Sequence, residues 1–232
     1  MVVSTQSEFS NDRRVEHRHM VVKSDGGEEA TLELALFSSK TATLRVIDNP
    51  NTSDTLAAAM QRENCIAGAN GGYFDPDYAP VGLLISDGRM IAPLRKARLL
   101  SGVVSVVNGR VQLQRTAQFS RKTKPTEARQ CGPFLVEGGK SIVSLNNTKT
   151  ARRTFFATIS DTRGALGFSS QVTLAQLAAI LSTSNLAPDF KIERALNFDG
   201  GSSSGFWFAG ETGAFSIREQ KTVRDYLAIA PK

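Results

Sequence analysis

The chain is poor in the residues that most often build a hydrolytic centre. Among 232 residues it has two histidines, His17 and His19, both near one end. A Ser-His-Asp triad or a histidine-rich zinc site could use only that pair, in a stretch with no other catalytic signature. It has two cysteines, Cys65 and Cys131. That is too few for a disulfide framework, and their spacing is not that of a metal site. Buried free thiols are the plain expectation, and a Cys65–Cys131 disulfide stays open if the protein is exported. No apolar run is long enough to span a membrane, and the N-terminus lacks the apolar core of a signal peptide. Whatever chemistry the chain performs must rest mainly on carboxylates, arginine, tyrosine and backbone amides.

What is present has the balance of a globular protein, with 41% hydrophobic and 22% charged residues. Residues 1–16 are polar and are expected to be disordered. Residues 17–232 read as a single domain, without an internal repeat or a linker. Lysine and arginine outnumber aspartate and glutamate by 28 to 22, a net charge of +6. A positive field favours an anionic substrate. Most basic residues are scattered, and the clusters Arg95-Lys96-Ala97-Arg98 and Arg121-Lys122-Thr123-Lys124 are not interleaved with aromatics that could stack on bases. No nucleic-acid partner is expected.

Hairpin signals dominate the pattern. Leu32–Phe37 and Thr43–Ile47 read as strands. Val81–Ile85 and Met90–Ile91 flank Asp87-Gly88, and Val103–Val107 and Val111–Leu113 flank Asn108-Gly109. Phe134–Val136 and Ile142-Val143 flank Gly138-Gly139. Thr154–Ile159 and Ala165–Phe168 flank a turn ending in Gly164. Phe206–Phe208 and Ala214–Ile217 flank Glu211-Thr212-Gly213, and Tyr226–Ile229 is the last strand. One helix opens at Thr173 with a capping-box glutamine, Gln176, and presents Leu174, Leu177, Ala178 and Leu181 on one face. Asn185 and Pro188 mark its end. A second helix runs from Ser53 or Asp54 to Glu63, with Leu56, Ala57 and Met60 inward. The expected class is α+β, with mixed, curved sheets built from hairpins and a few packed helices.

Four segments could carry chemistry. In the first, an apolar strand runs into Asn70-Gly71-Gly72-Tyr73-Phe74-Asp75. Paired glycines allow close approach or positive φ, and Asn70, Tyr73 and Asp75 would gather at a strand end. An Asn-Gly turn with two core aromatics is an equal reading. In the second, Ala195–Phe198 ends in Asp199-Gly200-Gly201-Ser202-Ser203, a carboxylate followed by amides able to nest an anion. The plain alternative is a flexible loop. The third is Arg153-Thr154, where a guanidinium at a strand end can grip a phosphate, although a solvent-facing arginine is commoner. The fourth, Gly132-Pro133 before a hairpin, reads as mainly structural.

In order and spacing these segments, with Pro80–Gly88 and the Thr173 helix, resemble the phosphodiester glycosidase family from about Leu32 onward. One departure is the turn Gly200-Gly201-Ser202-Ser203, where many relatives carry a third glycine. The resemblance implies hydrolysis of the glycosidic C–O bond of a sugar-1-phosphodiester, as an N-acetylglucosaminidase does, on a small molecule or a cell-surface glycan. On that reading Asp199 is the base or nucleophile and Asp75 the second carboxylate. Arg153, the Gly200 and Gly201 amides and Ser202 hold the phosphate, Asn70 and Tyr73 shape the sugar pocket, and Gly71, Gly72, Thr154 and Ser203 complete the substrate-binding residues. No cofactor is required, and a divalent cation near Asp75 or Asp77 is left open. The family relation suggests a periplasmic or secreted protein, with the cytoplasm as the other option. A non-catalytic carbohydrate- or polyanion-binding module and a P–O-cleaving phosphodiesterase are the competing readings.

Overall fold

The computed structural model describes residues 1–24, 26–183 and 186–232. The first strands are β1 (Val2–Phe9), β2 (Val15–Lys23), β3 (Glu29–Ser38) and β4 (Ala42–Asp48). Helix α1 (Leu56–Arg62) leads into β5 (Ala67–Asn70), β6 (Leu84–Ser86) and β7 (Arg89–Ala92). Then come β8 (Gly102–Val107), β9 (Arg110–Arg115), β10 (Glu127–Cys131), β11 (Phe134–Glu137) and β12 (Lys140–Ser141). Strands β13 (Ala151–Thr158) and β14 (Arg163–Val172) precede α2 (Leu174–Ser182) and β15 (Arg194–Asn197). The last are β16 (Phe206–Gly210), β17 (Gly213–Ile217) and β18 (Asp225–Pro231).

The strands form three sheets, ordered β1-β2-β3-β14-β13-β15-β11-β12, β7-β6-β10-β8-β9 and β17-β16-β5-β18-β4. Pairings among the described residues are antiparallel rather than mixed, as in β13–β14, β10–β8 and β18–β5. The class is the α+β arrangement expected, dominated by sheet. Three hairpins follow from local turn chemistry. Asp87 and Gly88 (φ 48° and 76°), Asn108 and Gly109 (49° and 71°), and Gly138 and Gly139 (58° and 70°) all sit at positive φ. Such turns match the right-handed twist of the strands they join.

Helix α2 has the expected capping box between Thr173 and Gln176, and buries Leu177, Ala178 and Leu181. Its C-cap is Thr183; Asn185, expected to mark its end, lies outside the described residues. Helix α1 starts slightly later than expected, with Thr55 as N-cap, and buries Leu56 and Met60 while Ala57 stays half-buried.

Three expectations are corrected. Residues 1–16 are not without structure: β1 pairs with β2 from Val2 to Phe9. It is an edge strand with mostly exposed side chains, so its backbone ladder leaves no hydrophobic alternation for the sequence to display. Ile142 and Val143 lie beyond β12, which holds only Lys140 and Ser141. Val81–Leu83 precede β6, which begins at Leu84. Cys65 and Cys131 are both free and buried, and burial pushes their thiols up to about 11 and about 12.

One apolar cluster draws on all three sheets, with Phe37 and Phe156 from the first, Leu84 and Val104 from the second, and Leu44 and Phe208 from the third. Each such buried side chain contributes roughly 1.5–3 kcal/mol. The cluster fixes the strand ends whose loops form the candidate site.

Candidate active site

The fully buried strand β5 lies between β16 and β18 and delivers Asn70 at its end. The Asn70 carbonyl oxygen accepts from Thr154 Oγ1 at 2.5 Å and from the Gly205 amide at 3.2 Å. Its amide nitrogen donates to the Asp199 carbonyl at 2.8 Å and to the Gly71 carbonyl at 3.3 Å. Asn70 and Thr154 are thereby committed to each other and to the backbone, and they hold the site together.

Gly71 and Gly72 are glycines for lack of space, not for positive φ. The Gly71 amide donates to the Asp225 carbonyl at 2.8 Å, and the Gly72 amide to Asp225 Oδ1 at 3.1 Å. A Cβ on Gly71 would overlap the Asp225 carboxylate, and one on Gly72 the Arg129 guanidinium. Arg129 in turn donates to the carbonyls of Tyr73 (2.8 Å) and Val81 (3.1 Å). The Tyr73 hydroxyl donates to the Gly132 carbonyl at 2.6 Å and accepts from Asn197 Nδ2 at 3.2 Å. Burial drives its pKa far above the usual phenol range, helped by nearby Cys131 and Asp199, so Tyr73 stays protonated.

The second loop leaves β15 through buried Phe198 and presents a half-buried Asp199. The Asp199 amide donates to the Gly71 carbonyl at 3.2 Å, which joins the two loops directly. Burial raises the Asp199 pKa above the usual aspartate value, while the Ser203 hydroxyl, the Gly200 amide and Lys221 pull it down. The Gly200 amide donates to Asp199 Oδ1 at 2.9 Å. Gly201 takes φ 66° to start the 3-10 turn Gly201–Ser203. Ser203 Oγ is buried without a well-formed hydrogen bond, and Ser202 faces solvent.

Arg153 lies in β13 and is buried, with 9% exposure. Its Nε donates to the Val172 carbonyl at 3.1 Å and its Nη2 to the Lys149 carbonyl at 2.7 Å. Among the described residues no carboxylate pairs with it, and burial lowers its pKa. Its Nη1 faces the second loop, 3.6 Å from where a Cβ on Gly200 would sit. A buried guanidinium carrying its charge beside backbone amides is arranged for an anion.

Asp75 has a different setting from Asp199. Its Oδ1 accepts from the Asp77 and Ala79 amides at 3.0 and 2.9 Å, closing its own loop. Next to it Phe74 stacks on Tyr78 with ring centroids 5.1 Å apart, and Lys221 Nζ sits 4.8 Å from the Phe74 centroid. Among the described residues no group of three or more histidines, cysteines and acids is placed to hold a metal ion.

The family model for phosphodiester glycosidases matches residues 63–230, which include both loops, Arg153 and Asp225. The chain belongs to the phosphodiester glycosidase family. Similar solved structures agree in fold. The catalytic domain of zebrafish N-acetylglucosamine-1-phosphodiester alpha-N-acetylglucosaminidase, auto-inhibited by its pro-peptide, superposes with TM-score 0.71 at 14% identity, covering 99% of this chain and 88% of that one. A hypothetical protein from Synechocystis gives 0.66 at 13%, over 94% of this chain and 62% of that one. A Burkholderia pseudomallei protein described as exported gives 0.62 at 13%, over 88% and 74%. No curated protein matches the chain.

Within this phosphodiester glycosidase fold, the sequence reading missed Arg129, Asp225, Asn197 and Lys221. For Asp225 the available signal was a carboxylate opening the otherwise apolar strand β18, whereas Arg129 lies among other polar residues of β10 and had none. Asn197 ends β15 as Asn70 ends β5, and its Nδ2 donates to the carbonyls of Gly132 (3.1 Å) and Phe198 (2.6 Å). Lys221 lies on an exposed loop and carries no local signal.

Proposed function

We propose that the chain hydrolyses the glycosidic C–O bond of a sugar-1-phosphodiester at the junction of the Asn70 and Asp199 loops. The carrying observation is Arg153, a buried guanidinium without a carboxylate partner among the described residues, facing the turn that presents Asp199. A phosphodiester departs as a stable anion, so this bond needs less acid assistance than an ordinary glycoside. The site must stabilise the departing charge and an oxocarbenium-like sugar, and must deliver water. Arg153 takes the phosphate with the Gly201 amide and Ser202. Asp199 acts at the anomeric carbon as base or nucleophile, and its raised pKa makes it a stronger base. Tyr73, protonated, forms a wall of the sugar pocket. Asp75, with one oxygen bound in its own loop, keeps Oδ2 for the substrate side. Glycans bearing such bonds lie at cell surfaces, and we place the enzyme outside the cytoplasm, in keeping with the structural neighbour described as exported.

The test is hydrolysis of the p-nitrophenyl phosphodiester of α-N-acetylglucosamine in ¹⁸O water. Label in the sugar, with turnover lost in a folded Asp199→Asn variant, is the expected result. Label in the phosphate would make the protein a phosphodiesterase. A folded, fully active Asp199→Asn variant would remove Asp199 from the mechanism.

A further inference from the structure

The two basic clusters of the sequence take no part in the site above, yet both are anchored on the second sheet. Leu94 packs on the same apolar cluster as Phe119, and Arg121 Nη1 lies 2.9 Å from Met90 Sδ in β7. The Arg95–Arg98 loop and the 3-10 turn at Arg121–Thr123 therefore lie at one side of the second sheet. Arg95, Lys96, Arg98, Arg121, Lys122 and Lys124 are all exposed. None of them forms an ion pair among the described residues, whereas the exposed Arg13, Lys23 and Arg62 elsewhere are paired with acids.

The loop is held firmly and leads toward the candidate site. Buried Gln130 accepts from the Arg95 amide at 3.0 Å and donates to the carbonyls of Arg95 (2.7 Å) and Leu100 (3.2 Å). The far end packs against Gly132, where a Cβ would overlap the Leu99 carbonyl. The carbonyl of that same Gly132 receives the Tyr73 hydroxyl and Asn197. The basic loop thus ends on the back of Gly132, whose carbonyl anchors Tyr73.

We propose that this basic loop and the adjoining turn form a docking surface for a polymeric, phosphate-bearing glycan, whose sugar-phosphodiester unit occupies the site between Arg153 and Asp199. The proposal rests on the reading of that site as a phosphodiester glycosidase centre. A single exposed cation is worth little to one anion. A row of unneutralised cations facing a chain of phosphates gains from the summed field and from release of the polymer's counterions. The two segments expose no aromatic ring for bases to stack on, which favours a glycan over a single-stranded nucleic acid.

The experiment compares wild type with the triple variant Arg95→Gln, Lys96→Gln, Arg98→Gln. Binding of an oligomer of N-acetylglucosamine-1-phosphate is measured at low and moderate salt, beside single-stranded DNA with the same number of phosphates. Turnover of the small p-nitrophenyl phosphodiester is measured in parallel. The variant is expected to bind the oligomer about tenfold more weakly, with a shallower salt dependence, and to turn over the small probe as wild type does. Unchanged oligomer affinity in the variant, or DNA bound as tightly as the oligomer, would overturn the proposal. If wild type cleaves neither probe, the glycosidase reading fails, and a selective loss of oligomer binding in the variant still supports the surface.

Discussion

Asp225 receives two hydrogen bonds of 2.9 Å from Arg129, and neither side chain touches solvent. The pair stands behind the Asn70 loop: Asp225 binds the Gly71 and Gly72 amides through its backbone and side chain, and Arg129 binds the Tyr73 carbonyl. Removing one partner strands a buried charge. Asp225→Ala is expected to cost about 3–5 kcal/mol of stability, measured by urea denaturation, with a disordered loop and loss of activity.

Gly72 abuts this pair closely. Gly72→Ala places a methyl group on the Arg129 guanidinium, and overpacking of this kind costs about 1–3 kcal/mol. The expected result is a lower melting temperature and a larger fall in activity than stability alone explains. An unchanged melting temperature would show that the loop can move aside.

Arg153 tests the phosphate assignment. Arg153→Ala is expected to lower kcat/KM on the phosphodiester probe by about 10²–10³-fold, the effect typical of losing a donor to developing charge. Arg153→Lys is expected to recover little, because an ammonium cannot span two carbonyls and still face the Gly200 turn. Recovery to wild-type rates by lysine would reduce the role of Arg153 to its charge.

Lys221 favours the charged form of Asp199, while burial opposes it. Lys221→Met removes the favourable charge, so the Asp199 pKa rises further. The acidic limb of the kcat/KM profile, where activity falls as Asp199 takes up a proton, is then expected to move to higher pH. A shift to lower pH would contradict the assignment of that limb to Asp199.

Glu127 links folding to pH away from the site. It accepts from the Val46 amide at 2.8 Å and the Asp87 amide at 3.2 Å, and burial pushes its pKa from 4.5 to about 7. The folded state therefore holds this proton more tightly than the unfolded chain. Its contribution is full below pH 4.5 and is lost as pH rises through about 7. Glu127→Gln is expected to flatten the stability profile across that window, read from denaturation midpoints at several pH values.

What the sequence displayed was local. The turns at Asp87-Gly88, Asn108-Gly109 and Gly138-Gly139 and the capping box of α2 each lie within a few residues and carry their own backbone demand. The loops at Asn70 and Asp199 were visible for the same reason, as glycine-rich breaks after apolar strands. Hidden were the relations that only the fold creates. Arg129 and Asp225 lie 96 residues apart, and no periodicity joins them. Asn70 and Thr154, expected to bind substrate, spend their polar atoms on one another and on the backbone. β1 escaped notice because an edge strand held by backbone hydrogen bonds needs no apolar face.

The four hydrogen bonds of Asn70 have a consequence for how activity and folding relate. They join the end of β5 to β13 in another sheet, to the Asp199 carbonyl and to the Gly205 amide. The centre is therefore a product of assembly: its parts come from positions as far apart as Asn70 and Gly205, and no single hairpin contains it. Catalysis would report completion of the fold, so recovery of activity during refolding would lag behind the appearance of the individual hairpins.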